Sequence, residues 1–225
     1  RKAFAFDVSA ACSGFLYSLS VADQFLKSGK YKTALVIGAE VLSREIDWTD
    51  RSTCVIFGDG AGAVVLERKP GPGQVLSSHL HSDGNLWDLI CIPAGGSRIP
   101  YSEKVLSDRS SFMKMKGAET YKVAVRNLEE VALEALNHHK LSPDQIGLVI
   151  PHQANLRIIR AVAERLKLPE EKVMVNIDRV GNTSGASIPI ALDEAVRGGR
   201  VKPGDYVLLI AFGAGLTWGA TLLRF

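Results

Sequence analysis

The sequence predicts a layered α/β fold made of two related halves. Short apolar runs of strand length, such as 32–39 and 147–151, alternate with longer segments whose apolar residues recur at the helical period, such as 13–27 and 116–139. This alternation favours helices packed on a mostly parallel sheet. With 225 residues, the chain is long enough to bury a large core.

Each element is assigned from its local pattern. Continuous apolar runs predict strands at 2–8, 32–39, 53–57, 63–66, 147–151 and 172–178. Helical periodicity predicts helices at 13–27, 116–139 and 156–166, and a Ser-Pro-Asp-Gln string predicts a helical turn at 142–145. Gly29 stands where a left-handed residue would end the first helix. The segment 82–111, rich in Gly, Pro, Ser and Asp, is expected to be an irregular loop.

The two halves are inferred from an internal duplication. Residues 4–40 can be laid over 173–212 with strand on strand and helix on helix. A repeat this long indicates two homologous halves, although any two β-α-β units align to a similar degree. We expect the halves to be 1–73 and 74–225, separated by the Pro-Gly-Pro-Gly string at 70–73. If they are equivalent, roughly a hundred residues are missing before Arg1.

Composition and charge exclude several classes of protein. No apolar run approaches the roughly 20 residues of a membrane helix, and the start of the chain lacks the apolar region of a signal peptide, so a cytoplasmic protein is expected. A net charge of +3 is too small to indicate nucleic-acid binding. The three cysteines, Cys12, Cys54 and Cys91, form no Cys-x-x-Cys pair, which argues against a disulfide framework and a structural zinc site.

Cys12 is the candidate nucleophile. It follows a predicted strand and opens a predicted helix, where the N–H groups and the helix dipole favour a thiolate. The alternative is a buried cysteine that acts as a small hydrophobic residue. Cys54 and Cys91 lack this context, and for them the structural interpretation holds.

Two further polar residues stand at predicted strand ends. His152 follows the strand at 147–151, and Asn182 lies in a second junction that the duplication places close to the position of Cys12. A lone histidine is more often structural, and an asparagine before Thr-Ser is more often a helix cap. Together, Cys12, His152 and Asn182 would make a nucleophile with two polarising donors.

Glycine-rich loops occur at 57–63 and 212–219, in matching parts of the two halves. Neither fits a phosphate-binding or dinucleotide-binding pattern. They suit close backbone approach, so that an N–H of Gly213 or Ala214 could join the N–H of Cys12 in an oxyanion hole. The alternative is that both loops are tight turns between packed strands.

Four strings carry a family resemblance. Asp-Val-Ser-Ala-Ala-Cys-Ser-Gly-Phe at 7–15, Pro-His-Gln-Ala-Asn-Leu-Arg-Ile at 151–158, Gly-Asn-Thr-Ser-Gly-Ala-Ser at 181–187 and Ala-Phe-Gly-Ala-Gly-Leu-Thr-Trp-Gly at 211–219 resemble β-ketoacyl-acyl carrier protein synthase III. The resemblance implies a duplicated thiolase-like fold with α-β-α-β-α layers, here with an incomplete first half. The family's first strands and an early Trp and Arg that hold the coenzyme A adenine have no counterpart in this sequence.

The resemblance also implies a reaction and roles for individual residues. The reaction is a decarboxylative condensation of acetyl-coenzyme A with malonyl-acyl carrier protein, which gives acetoacetyl-acyl carrier protein and initiates fatty acid synthesis. It requires no metal and no cofactor, since coenzyme A enters as the substrate thioester, and the family implies a homodimer. The implied roles are Cys12, His152 and Asn182 in catalysis, the N–H groups of Cys12 and Ala214 in the oxyanion hole, Phe212 and Gly213 as support, Arg51, Asn155 and Gly117 in coenzyme A binding, and Arg157, Arg160 and Lys122 in carrier-protein docking.

Two alternatives stay open at this point. The chain could be a non-catalytic fragment or one piece of a nicked synthase, or it could be a related Cys-His-Asn enzyme with another acyl primer. An α/β-hydrolase with a cysteine nucleophile is excluded, because the string around Cys12 lacks the first glycine of the G-x-C-x-G elbow.

Overall fold

A computed structural model describes residues 2–71 and 73–225. The α-helices of this part of the chain are α1 (Gly14–Lys27), α2 (Glu103–Ser107), α3 (Gly117–His138), α4 (Leu156–Arg165), α5 (Ile177–Val180) and α6 (Ser187–Arg197). The strands are β1 (Thr33–Glu40), β2 (Gly60–Glu67), β3 (Gln74–Ser82), β4 (Ile90–Cys91), β5 (Lys114–Met115), β6 (Leu148–Pro151), β7 (Tyr206–Gly213) and β8 (Thr217–Arg224). Among the described residues, no helix has the length and apolar character needed to span a membrane.

The strands form a four-stranded sheet and two separate pairs. The sheet has the order β3-β8-β7-β6, while β1 pairs with β2 and β4 with β5. Of these pairings, β6 with β7 is parallel and the others are antiparallel. The expectation of mostly parallel strands is therefore wrong. The physical reason is that β2 and β8 each return beside the preceding strand without a helical crossover.

Strand β7 is buried along nearly its whole length and divides two hydrophobic cores. Because side chains alternate along a strand, Leu208, Ile210 and Phe212 face an outer core with helices α3 and α4. Val207, Leu209 and Ala211 face an inner core with α1 and α6. The four-stranded sheet thus lies between two helical layers.

The β1–β2 pair forms a fourth layer against the inner helices. Its inner side contributes Val36 to the core shared with α1 and α6. On the opposite side Leu35, Ile37 and Val65 are each more than half exposed. Four of the five expected layers are present among the described residues, and an outer helical layer over this exposed side is not among them.

The duplication is visible in the order and length of the elements. In each half a helix, α1 or α6, is followed by a strand of 8 residues and then by an antiparallel strand of 8 residues. Each helix is preceded by a short 3₁₀ turn whose first residue is a non-glycine with positive φ, Ala11 at 46° and Ser184 at 47°. In this correspondence Glu40, the last residue of β1, matches Gly213, the last residue of β7. The division at 73/74 itself stays a prediction.

Most of the long elements confirm the sequence assignments. The helices expected at 13–27, 116–139 and 156–166 and the strands expected at 32–39 and 147–151 are present within one or two residues. Gly29 has a φ of +81° directly after the end of α1, as expected for a helix-terminating glycine. The turn at 142–145 is a 3₁₀ turn with a capping box. Pro72, in the expected break at 70–73, lies outside the described residues.

Three expected strands are wrong. Residues 2–8 form no strand, since no neighbouring strand supplies backbone partners to them in the described part of the chain. Residues 53–57 are turns that end in an isolated bridge, and only Val173 of 172–178 pairs, with Val149. Glycines 60 and 62, expected in a loop, belong to β2. They are glycine because a Cβ at either position would lie 2.9 Å from the nearest atom of Ile190 or Pro189 on α6.

Replacement of Gly38 by alanine should destabilise the fold. A Cβ there would lie 2.2 Å from the carbonyl oxygen of Gly185, so β1 would have to move away from the turn before α6. We expect a loss of about 1–3 kcal/mol in the free energy of unfolding, measured by chemical denaturation. Gly84→Ala is the matched control, because no atom lies within 4 Å of its added Cβ. Equal stability of the two variants would contradict this packing.

Candidate active site

A cavity of about 1180 Å³ opens beside the start of α1, between β1 and the ends of β6 and β7. It brings together many of the residues singled out in the sequence. Those that line it are Cys12, Gly117, His152, Asn155, Asn182, Phe212 and Ala214. Residues as distant in the chain as Cys12 and Ala214 therefore line the same cavity.

The turn that carries Cys12 is held by the β7–β8 hairpin. Cys12 lies in the 3₁₀ turn Ala11–Ser13 that leads into α1. The Thr217 hydroxyl donates to the carbonyl of Ala10 at 2.9 Å, and the Ser13 hydroxyl donates to the carbonyl of Thr217 at 3.1 Å. These two hydrogen bonds bracket Cys12 and fix it against the end of β7.

The thiol of Cys12 is protonated at rest. Although the residue is only half-buried as a whole, its thiol lies deep in the cavity wall, and burial raises its pKa to about 11. A hydrogen bond from the Ser184 side chain lowers the pKa, and the negative charge of Glu40 adds to the rise. The expectation of a favoured thiolate is therefore wrong for the resting site, because the loss of hydration outweighs the partial charges at the start of the helix.

The backbone beside Cys12 offers two free donors. A Cβ built on Gly213 would lie 2.7 Å from the Cys12 nitrogen, so the end of β7 touches the nucleophile turn directly. Neither the Cys12 N–H nor the Ala214 N–H donates to an oxygen within residues 2–71 and 73–225. Two such donors beside a nucleophile can stabilise a developing oxyanion.

His152 presents a neutral imidazole. It follows β6, and its N–H donates to the carbonyl of Ile210 on β7 at 2.7 Å. The side chain is 3% exposed, and neither Nδ1 nor Nε2 has a hydrogen-bond partner among the described residues. Burial lowers the pKa of His152 to about 4, so the ring is uncharged at neutral pH. An unpartnered buried imidazole that faces a cavity is available to a ligand.

Gln153 positions His152 and was not singled out in the sequence. Its side chain is fully buried and donates to the carbonyls of Pro151 and Met174, while it accepts from the N–H groups of Asn176 and Ile177. Such a saturated amide fixes the chain on both sides of the histidine. The sequence could have indicated Gln153 by its place next to His152 in the Pro-His-Gln-Ala-Asn string.

Asn182 is held so that its amide nitrogen is free. Its main chain exchanges hydrogen bonds with Ile56 and Gly58, each at 2.9 Å. The Ser184 N–H donates to Oδ1 of Asn182 at 2.9 Å. Because Oδ1 is occupied, Nδ2 is the group that remains for the cavity, and it makes no hydrogen bond to a described residue. Within the described residues, Asn182 therefore has an amide donor without an acceptor.

The repeat gives Cys12 a different counterpart from the one expected. Ala11 corresponds to Ser184, so Cys12 corresponds to Gly185, and Asn182 precedes the equivalent turn. The sequence overlay placed Asn182 close to Cys12, and the structure places it three residues before the counterpart of Cys12, because α6 is shorter than α1. Ser184, which the sequence analysis did not single out, lies in this second turn and lowers the pKa of the Cys12 thiol.

The residues assigned to coenzyme A lie in different settings. Gly117 and Asn155 line the cavity, at the starts of α3 and α4. Oδ1 of Asn155 accepts from the Arg157 N–H at 2.8 Å, so this residue is also the N-cap of α4. Arg51 is exposed in the turns between β1 and β2 and does not line the cavity.

The residues assigned to carrier docking lie on the surface. Arg157, Arg160 and Lys122 are exposed, and none forms an ion pair within the described part of the chain. The guanidinium of Arg157 lies 5.7 Å from the ring centre of Tyr121, which lines the cavity. The basic surface is therefore adjacent to the site.

Comparison with known proteins agrees with this geometry. A family model described as 3-oxoacyl-[acyl-carrier-protein (ACP)] synthase III matches residues 6–84, and the model of its C-terminal part matches residues 136–225. A β-ketoacyl-[acyl-carrier-protein] synthase III from Aquifex aeolicus is 53% identical over 225 residues, which are 100% of this chain and 68% of the relative. The chain belongs to the 3-oxoacyl-[acyl-carrier-protein] synthase III family.

Other relatives of the 3-oxoacyl-[acyl-carrier-protein] synthase III family support the fold. A Xanthomonas campestris β-ketoacyl-[acyl-carrier-protein] synthase III is 55% identical over 98% of this chain and 67% of its own. The crystal structure of the Aquifex aeolicus enzyme matches with a TM-score of 0.90 at 54% identity, over 99% of this chain and 67% of that one. The duplicated thiolase-like fold and the assignment to condensing acyltransferases are thereby confirmed.

Alkylation of Cys12 should report its high pKa. We expect the rate with iodoacetamide to rise about tenfold per pH unit between about pH 7 and 9, because the thiolate fraction grows in that proportion below a pKa of about 11. The rate is measured by mass spectrometry on the peptide that contains Cys12, with the Cys54 peptide as an internal comparison. A rate that levels off by about pH 8 would instead support the thiolate expected from the helix start.

Proposed function

We propose that this protein condenses acetyl-coenzyme A with malonyl-acyl carrier protein, with loss of carbon dioxide, to give acetoacetyl-acyl carrier protein. The reaction initiates fatty acid synthesis. The observation that carries the proposal is the set around one cavity: a cysteine beside two N–H groups, a neutral His152 and the amide of Asn182. Within the described residues, the two N–H groups, the His152 ring and Nδ2 of Asn182 have no hydrogen-bond partner. A thiol, an oxyanion hole and two neutral donors suit acyl transfer followed by enolate formation.

In the first half-reaction Cys12 takes the acetyl group. Its sulfur forms a bond to the carbonyl carbon, and the N–H groups of Cys12 and Ala214 stabilise the oxyanion. The bond to the coenzyme A sulfur then breaks, and the released thiolate takes the proton that Cys12 has lost. Because the Cys12 pKa is about 11, little free thiolate is present at rest, and proton transfer accompanies the attack.

In the second half-reaction the malonyl group loses carbon dioxide. His152 and Asn182 donate to the thioester oxygen, where charge develops as the carbon–carbon bond to the carboxylate breaks. Both donors are neutral, and Phe212 keeps one side of the cavity apolar, which disfavours the charged carboxylate. The enolate carbon then attacks the acetyl carbon on Cys12, the sulfur leaves as a thiolate, and a proton from solvent restores the thiol. This sequence needs no metal and no resident cofactor.

The carrier protein docks on the basic surface of α4 and α3. Arg157, Arg160 and Lys122 supply positive charge there that is unpaired within the described residues. The family resemblance implies an acidic carrier protein as the partner. Gly117, Asn155 and Arg51 contact coenzyme A in the first half-reaction. A related priming β-ketosynthase of a polyketide pathway is 37% identical over 97% of this chain, with a TM-score of 0.86, which favours a second candidate, the same chemistry with another acyl primer.

The homodimer remains a prediction from the family resemblance, and the cytoplasmic location remains a prediction from the sequence pattern. Light scattering on the purified protein tests the first. Transfer of label from acetyl-coenzyme A to Cys12 tests whether this chain is catalytic by itself, since a non-catalytic piece would take up no acetyl group.

The two half-reactions should separate in variants of the triad. After incubation with labelled acetyl-coenzyme A, we expect the label on the Cys12 peptide. His152→Ala or Asn182→Ala should lower condensation by about 100-fold to 1,000-fold, because a donor to the enolate oxygen is lost, while acetyl transfer stays measurable. Label on Cys54 or Cys91, or equal loss of both half-reactions, would contradict the assignment.

Reversal of charge at Arg157 should weaken docking selectively. We expect Arg157→Glu to slow the reaction with malonyl-acyl carrier protein, most strongly at low salt, because electrostatic steering is screened by ions. Acetyl transfer from coenzyme A should change little. Arg197→Glu, on the exposed end of α6, is the control for the change in net charge. If the two variants have the same rate with the carrier substrate, α4 is ordinary solvated surface.

A further inference from the structure

The two halves carry different residues at one pair of equivalent positions, Glu40 and Gly213. Each of the strands β1 and β7 ends against the turn that belongs to the other half. Glu40, the last residue of β1, lies at the turn Ser184–Ala186, and Gly213, the last residue of β7, lies at the turn Ala11–Ser13. In both places the strand end faces the backbone N–H of the second residue of the turn, Gly185 or Cys12.

In one place the N–H is occupied, and in the other it is free. Oε1 of Glu40 accepts from the Gly185 N–H at 3.0 Å. Gly213 has no side chain to do the same, and the equivalent N–H of Cys12 has no oxygen acceptor among the described residues. Equivalent backbone positions thus differ: the Gly185 N–H is hydrogen-bonded to Glu40, whereas the Cys12 N–H is available to a substrate.

The Gly185 N–H that Glu40 accepts belongs to the segment that carries Asn182 and Ser184. Ile56 and Gly58 hold this segment at Asn182, and Glu40 holds it at Gly185. Between these points Ser184 has a φ of +47°, a left-handed conformation that a non-glycine residue keeps only where its surroundings impose it. The attachments at Asn182 and Gly185 lie on either side of this strained residue.

Glu40 is suited to that task by its own surroundings. It is half-buried at the cavity wall, and its carboxylate forms no ion pair within residues 2–71 and 73–225. Within the described residues, its carboxylate accepts one hydrogen bond, from the Gly185 N–H. A charged acceptor makes such a bond stronger than a neutral one.

We propose that Glu40 is a positioning residue that fixes the Asn182–Ser184–Gly185 turn through the Gly185 N–H, so that Asn182 meets the enolate oxygen. Its counterpart Gly213 lacks a side chain so that the Cys12 N–H stays available to the oxyanion. The proposal rests on the proposed function for its effect on catalysis, and on the geometry alone for its effect on the turn.

Three variants of the full chain test the proposal. Glu40→Ala removes the acceptor, Glu40→Gln keeps a carbonyl acceptor without the charge, and Glu67→Ala is the matched control at the opposite end of the same strand pair. Hydrogen exchange of the peptide 182–187, followed by mass spectrometry, reports on the Gly185 amide. Acetyl transfer to Cys12 and condensation are measured separately.

We expect faster exchange of the 182–187 peptide in Glu40→Ala and near wild-type exchange in Glu40→Gln and Glu67→Ala. Glu40→Ala should lower condensation about tenfold to 100-fold, since small misplacements of a catalytic group have effects of this size. Its acetyl transfer should stay within about threefold of wild type. Glu40→Gln should recover most of the condensation.

Two results would overturn the proposal. One is equal exchange in Glu40→Ala and Glu67→Ala, and the other is a Glu40→Gln variant that behaves like Glu40→Ala, since then the acceptor atom would not matter. If Glu40→Ala does not fold, Glu40→Gln is compared with Glu67→Ala. The proposal requires that the 182–187 peptide of Glu40→Gln exchange at the wild-type rate, and faster exchange would contradict it. A wild-type protein without condensation would refute the proposed function, while the exchange data would still decide the role of Glu40.

Discussion

Strand β7 is buried on both faces, and the positions of Cys12, the oxyanion donors and His152 depend on that burial. Its alternate side chains fill the outer and inner cores, and each fully buried Leu or Ile contributes about 1.5–3 kcal/mol. The strand pairs with β6, which ends directly before His152, and its own end lies against Cys12. A shift of β7 along its axis would therefore move the nucleophile turn, the oxyanion donors and the histidine together.

Burial also sets the charge state of the site. It raises the pKa of Cys12 and lowers that of His152, so both groups are neutral at physiological pH. A neutral imidazole and the amide of Asn182 can donate to a forming enolate without attracting the carboxylate that must leave. The same desolvation that makes the resting thiol a weak nucleophile thus suits the site to decarboxylation.

The internal duplication accounts for the site as well as the fold. Both halves place a strained turn before an inner helix, and both place a strand end beside the turn of the other half. A symmetric arrangement would treat both turns alike. The difference between Glu40 and Gly213 breaks the symmetry, so one turn is anchored and the other keeps an open donor.

The sequence by itself determined the long elements, the alternation of layers and the local strings that carry Cys12, His152 and Asn182. Those features depend on residues close together in the chain, such as the helical period of α3 and the glycine that ends α1. Tertiary structure decided what depends on distant contacts: the antiparallel pairing of β8, the burial that reverses the expected ionisation of Cys12, and the hydrogen bond that the Gly185 N–H donates to Glu40. Residues 2–8 and 172–178 show the same limit, because an apolar run becomes a strand only where a neighbouring strand completes its hydrogen bonds.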